Sequence, residues 1–166
     1  MRDPRSHHRK ADAHRHERNR APADELRALP MRPFIPTKSC PLGIAVVDRD
    51  HRRLIDLMHR VHQRGWAESP EAIRGAVEDL AFHVNQHFRQ EEMLMRLCGV
   101  PDYESHRQKH VALAARVAEF QSLLRRGLLA ADRFRDFLAG PMQRHILRED
   151  VAIKPFVDAL ETTTAA

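Results

Sequence analysis

The sequence contains little of what several classes of protein require. Its 166 residues include two cysteines, Cys40 and Cys98, which are too few for a disulfide scaffold and favour reduced thiols. No apolar run approaches the roughly 18 residues of a membrane span, and the N-terminus lacks the apolar stretch of a signal peptide. We therefore expect a cytoplasmic protein without membrane insertion, and one folded domain by size.

The folded part also lacks a strong charge of one sign. The formal net charge is +5. Residues 1–33 hold nine Lys and Arg against five Asp and Glu, or +4, and the remaining 19 against 18 leave +1 for residues 34–166. The basic segment has no base-stacking aromatic residues and no recognition-helix motif, so we expect no nucleic-acid partner.

Residues 1–33 have almost no β-branched or aromatic residues, and such a segment cannot repay the entropy of ordering. They are predicted to be a disordered basic tail. The tail contains four histidines, His7, His8, His14 and His16. These side chains could take up metal, but a solvated tail is the favoured interpretation. Alternatively, Met31 is the true start of the protein. In either case, residues 34–166 are predicted to form the folded domain, which begins with an irregular arm.

Apolar residues recur at helical spacing in four stretches, residues 48–65, 69–99, 102–127 and 131–160. Asp48 or Asp50 can cap the first helix and Gly65 can end it. Ser69 followed by Pro70 is a typical start for the second helix. Because short links join the helices, we predict an all-α fold, an up-down-up-down four-helix bundle.

Histidine is the abundant residue, with twelve in the chain. His87 and Glu91 are four residues apart, as are His106 and His110, so each pair lies about 40° apart on one helix face. The first helix offers His51, and the fourth offers His145 and Asp150. In an up-down bundle, the helix faces that carry these residues can converge on one interior level. Seven nitrogen and oxygen ligands are more than one tetrahedral zinc ion can bind. They suit two metal ions bridged by carboxylates.

A single pair of this kind is usually a surface pair on a helix. Here all four helices contribute, and apolar neighbours such as Phe88, Val111 and Leu113 favour inward faces. In the fourth helix, Pro141 should kink or restart the backbone. His145 and Asp150 are five residues apart, about 140° around a regular helix, so a local distortion would help both to reach one site.

Four segments resemble the hemerythrin family, particularly its single-domain bacterial members, over roughly residues 42–158. GIAVVDRDHRRLIDLMH is similar to the first-ligand segment, HFRQEEMLM to HFxxEExxM, PDYESHRQKH to the segment with two histidines, and HILRED to HIxxxD. The resemblance implies a non-haem diiron centre with an oxo or hydroxo bridge. One iron is then held by His106, His110 and His145, the other by His51 and His87, and Glu91 and Asp150 bridge both.

The resemblance further implies reversible dioxygen binding, for storage, delivery or sensing, by a protein that is not an enzyme. The iron with two histidines keeps an open position, where small anions such as azide should compete with dioxygen. Apolar neighbours of the ligands are expected to wall the pocket and exclude water. They are Leu54, Phe88, Leu113, Met142 and Ile146. An oxygen-consuming protein is a candidate partner.

Two positions depart from the family pattern. Pro141 stands where the family often has tryptophan, and His83 where it often has an aromatic residue. We expect His83 to pack beside the site or to bond to a ligand, rather than to bind metal itself. The alternative function is a diiron enzyme that handles peroxide or nitric oxide. A redox sensor that recruits a partner through its basic tail is a third hypothesis.

Overall fold

The computed structural model describes residues 41–164, which form an all-α, up-down-up-down four-helix bundle as predicted. The first three helices are α1 (Ala45–Val61), α2 (Pro70–Leu97) and α3 (Tyr103–Arg125), with a 3₁₀ turn, Trp66–Glu68, after α1. The fourth helical segment comprises α4 (Ala131–Phe137), π-helical turns Leu138–Met142 and His145–Asp150, a 3₁₀ turn (Val151–Ile153) and α5 (Lys154–Thr164). The predicted disordered tail, residues 1–33, lies outside the described residues, as does most of the arm after it.

The first helix begins earlier than predicted. Neither Asp48 nor Asp50 caps it, because the helix starts at Ala45 after Ile44. The carboxylate of Asp48 instead accepts hydrogen bonds from the backbone amides that precede the helix, those of Leu42 at 2.6 Å and of residue 43 at 3.2 Å. Asp48 thus ties the entering chain to α1 from within the helix.

The start of α2 agrees with the prediction. Ser69 is its N-cap and accepts a hydrogen bond from the backbone amide of Ala72 at 3.1 Å, with Pro70 at the first helical position. This side chain satisfies one of the amide groups that a helix leaves unpaired at its start. The cap fixes where α2 begins, and therefore which of its residues face the core.

The fourth helical segment is distorted where the sequence predicts it. A π-helical turn surrounds Pro141, whose ring cannot donate to the preceding turn, and a second one spans His145–Asp150. A π-helix has more residues per turn than an α-helix. Residues five apart therefore lie on one face of the helix, as residues four apart do in an α-helix, so that His145 and Asp150 share a face.

Two buried apolar clusters fill the bundle. The larger includes Leu54, Phe88 and Ile146, and the smaller includes Val47 and Met95. In α1, α2 and the fourth segment, the candidate ligands lie along each helix near the point where the residues of the larger cluster end and those of the smaller begin. Among the described helices, none is long and apolar enough to cross a membrane.

Candidate metal centre

All seven candidate ligands lie inside the bundle, with exposures of 5% or less. Their ligand atoms form two groups in which the atoms lie within 4.8 Å of one another. One group consists of Glu91, His106, His110, His145 and Asp150, and the other of His51, His87, Glu91 and Asp150. The two groups share both carboxylates, whereas the histidines divide three against two.

The shared carboxylates lie at the centre of the cluster. Oδ2 of Asp150 lies 3.1 Å from Nε2 of His51, and its Oδ1 lies 3.1 Å from Nε2 of His145. Oε2 of Glu91 is 3.1 Å from Nε2 of His110 and 3.9 Å from Nε2 of His87. Each carboxylate therefore faces histidines of both groups, which is the arrangement that a bridging ligand requires.

Several of these buried atoms have no hydrogen-bond partner. Both carboxylate oxygens of Glu91, Oδ1 of Asp150 and Nε2 of His87 and His145 are buried without one, despite the short contacts between them. Buried polar groups in proteins are almost always paired, because an unpaired group keeps its full desolvation cost. Lone pairs of acids and imidazoles that converge on one interior point fit metal cations, so the donor set suits the pair of ions inferred from the sequence.

The electrostatics favour the metal-binding protonation states of Glu91, Asp150 and His145, but not that of His106. Burial by itself would raise the pKa of Glu91 and of Asp150, but the surrounding histidines hold the pKa of both carboxyl groups below their ordinary values. Burial lowers the pKa of His145 to about 4. Burial also opposes the charged form of His106, but the carboxylate of Glu91 outweighs it and raises the pKa of this histidine. Two ionised acids and a neutral His145 are the forms that bind metal.

Comparison with known proteins agrees with this geometry. The family model of the hemerythrin HHE cation binding domain matches residues 42–157. The chain belongs to the hemerythrin family. It is 29% identical over 118 residues to a bacteriohemerythrin of Stenotrophomonas maltophilia (strain R551-3), a match that covers 71% of this chain and 77% of the relative.

A bacteriohemerythrin of Pseudomonas aeruginosa (strain LESB58) is 27% identical over 118 residues, which cover 71% of this chain and 75% of the relative. No solved structure gave a significant match. Proteins of the hemerythrin family generally bind oxygen rather than act as enzymes, in agreement with the expectation that this chain is not an enzyme.

The expected pocket residues all belong to the larger apolar cluster of this hemerythrin-family protein. They are Leu54, Phe88, Leu113, Met142 and Ile146. Phe88 contacts a candidate ligand directly, since its ring stacks on His110 with 3.9 Å between centroids and 8° between planes. It also meets His145 edge-on at 5.7 Å. That these residues wall a dioxygen pocket remains a prediction.

Two further residues of α2 bear on the ligand set. His83 lies outside both ligand groups and is partly exposed, with its ring edge-on to Phe82 at 5.2 Å between centroids. Glu92 places Oε1 3.0 Å from Nδ1 of His110. In the sequence, Glu92 is the second glutamate of the HFxxEExxM pattern, but no role was predicted for it. A paired acid of this kind is found only when the packing of α2 against α3 is known.

Proposed function

We propose that this protein binds dioxygen reversibly at a non-haem diiron centre and acts in oxygen storage, delivery or sensing. The observation that carries the proposal is the unequal division of the histidines between two groups that share both acids. His106, His110 and His145 would hold one iron, and His51 and His87 the other. Glu91 and Asp150, which belong to both groups, would serve both irons.

The two groups of residues differ in size. His106, His110 and His145 would supply one protein ligand more than His51 and His87 do. The smaller group would therefore leave room for dioxygen or for a small anion such as azide. When bound, the diiron pair supplies the two electrons that dioxygen takes up and returns on release.

The protein's own residues keep this exchange reversible by excluding water. Leu54, Phe88 and Met142 belong to the apolar cluster that adjoins the ligands and are 5% exposed or less. An apolar, dry surrounding disfavours separated charge and denies water access to the reduced irons, which slows oxidation to an inactive state. Leu113 and Ile146 complete the proposed wall.

The proposal is tested by metal and ligand stoichiometry. The reduced protein, handled anaerobically, should contain two irons per chain and take up one dioxygen per two irons, measured with an oxygen electrode. Azide should reduce that uptake in proportion to its occupancy of a single site per chain. Oxygen consumption that continues beyond one equivalent in the presence of a reductant, or catalytic turnover of added peroxide, would assign the centre to the enzymatic alternative instead.

The location of this activity is also a proposal. We infer a cytoplasmic protein from the small number of cysteines, with an oxygen-consuming protein as its candidate partner. Separation of bacterial extracts into cytoplasmic, periplasmic and membrane fractions, with detection of the native chain, tests this location.

A further inference from the structure

Glu91 and Glu92 are neighbours in α2, but their carboxylates meet different partners. The side chain of Glu91 is fully buried at the centre of the cluster, whereas that of Glu92 is 24% exposed and reaches across to α3. Consecutive residues of a helix point about 100° apart, so that the two acids cannot serve the same metal position. Glu92 instead places Oε1 3.0 Å from Nδ1 of His110.

Two carboxylates face the ring of His110. Within residues 41–164, Oε1 of Glu92 meets no other histidine nitrogen, whereas Oε2 of Glu91, near Nε2, is shared with His87 and His106. The contact with Glu92 therefore favours the proton on Nδ1. A carboxylate oxygen can only accept, so Nδ1 of His110 donates to it, and the other nitrogen of the neutral ring then keeps a lone pair. That nitrogen, Nε2, lies 3.1 Å from Oε2 of Glu91 and 3.0 Å from Nε2 of His106. We propose that Glu92 is a positioning residue that fixes the tautomer of His110 and thereby prepares Nε2 for metal binding.

The ring of His110 is held on two sides. Phe88 stacks on its face at 3.9 Å between centroids, and Glu92 bonds to its edge. A ring held in plane and tautomer enters the metal site without losing further rotational freedom on binding. Phe88 alone would fix the plane of the ring but would not distinguish its two nitrogens.

The arrangement sets His110 apart from the other candidate ligands. His51 and His87 have buried Nδ1 atoms without a hydrogen-bond partner. Within residues 41–164, no candidate ligand histidine other than His110 has a carboxylate on Nδ1. A negatively charged partner on one nitrogen makes the opposite nitrogen more basic, so that it donates its electron pair to a metal more strongly. Such a ligand favours the more oxidised state of the metal. Glu92 therefore stabilises the iron with three histidines selectively.

This inference rests on the proposed metal site, but its first test needs no metal. In the metal-free protein, ¹⁵N chemical shifts of the His110 side chain distinguish the two tautomers. Wild type should show the proton on Nδ1. Glu92→Gln retains an acceptor oxygen and should keep that tautomer, whereas Glu92→Leu should move part or all of the population to Nε2. Glu78→Leu is the matched control, because Glu78 is an exposed residue of the same helix.

The second test is anaerobic titration with ferrous ion. Glu92→Leu should weaken the binding of one of the two irons by about 10- to 100-fold relative to Glu78→Leu, and Glu92→Gln by less. The Mössbauer doublet of one iron should change while that of the other is retained. A merely structural link between α2 and α3 would change neither the tautomer nor one doublet selectively.

The inference is overturned if metal-free wild type carries the proton on Nε2 of His110, or if Glu92→Leu binds both irons within about twofold of Glu78→Leu. Should Glu92→Leu not fold, wild type and Glu92→Gln still decide the question through the tautomer of His110. A protein that loads two irons but does not bind dioxygen would contradict the proposed function and leave the role of Glu92 intact.

Discussion

Phe88 offers the sharpest test of how the apolar cluster supports the metal centre. Its ring is 5% exposed, stacks on His110 and lies near His87 and His145, at 5.6 Å and 5.7 Å between ring centroids. Replacing Phe88 with Ala removes the ring and leaves a cavity beside three candidate ligands. The substitution should therefore lower both the stability of the bundle and the resistance of the reduced irons to water.

The expected magnitude follows from burial. Truncation of a buried phenylalanine costs about 3 to 5 kcal/mol, because the transfer free energy of the ring is lost and the cavity relaxes only in part. Phe82 provides a matched control in the same helix, since it is 67% exposed. Phe82→Ala should change the free energy of unfolding by no more than about 0.5 kcal/mol.

Urea unfolding of the metal-free proteins, followed by circular dichroism, measures both values under the same conditions. The reduced, iron-loaded variants are then exposed to air, and the rate of irreversible oxidation is read from the visible spectrum. Phe88→Ala should oxidise faster than wild type, whereas Phe82→Ala should match wild type. Equal stabilities of the two variants, or an unchanged oxidation rate in Phe88→Ala, would refute the role of Phe88 as a core residue that keeps water from the irons.

Three further predictions concern the ligand set and its protonation. Glu91→Ala should lose much of the bound iron, measured by elemental analysis, because two metal charges lose a shared acid; loss no greater than in the control Glu78→Ala would contradict this. His83→Phe should retain two irons per chain, and loss of one would make His83 a ligand. In the metal-free protein, His145 has a folded pKa of about 4 against an ordinary 6.5, so its contribution is complete above pH 6.5 and is lost as the pH falls towards 4. Wild type should then lose about 2 kcal/mol more than His145→Gln between pH 7 and pH 5 in urea unfolding. The raised pKa of His106 acts in the opposite direction in both proteins, so equal losses would show that His145 is not buried in its neutral form.

Local chemistry explains why much of the fold was predictable from the sequence. Ser69 with Pro70 marks the start of α2 because a cap and a fixed backbone angle act within one turn. Spacings of four residues placed His87 with Glu91 on one face. Pro141 predicted the distortion of the fourth segment for an equally local reason. The division of residues 1–33 from the bundle stays a prediction, since they lie outside the described residues.

Contacts that a helix makes with residues outside it were not predictable from residue spacing. Asp48 or Asp50 was expected to cap α1, but the helix starts at Ala45, and the carboxylate of Asp48 bonds to backbone amides that precede the helix. Val111 was expected to face inward because it is apolar and follows His110, yet it is 56% exposed. The environment of Val111 depends on which side of α3 it occupies, and its apolar side chain alone did not predict that side. Glu92 was missed because its partner is on another helix.

The central claim is that a diiron centre held by these seven residues binds dioxygen and releases it unchanged. The most direct measurement is the visible absorption spectrum of the diferrous protein through a cycle of anaerobic reduction, exposure to air and evacuation. The account predicts bands that appear in air, disappear under vacuum and return on a second exposure, with two irons per chain throughout. A one-way change that only a chemical reductant reverses, or no change in air, would contradict it.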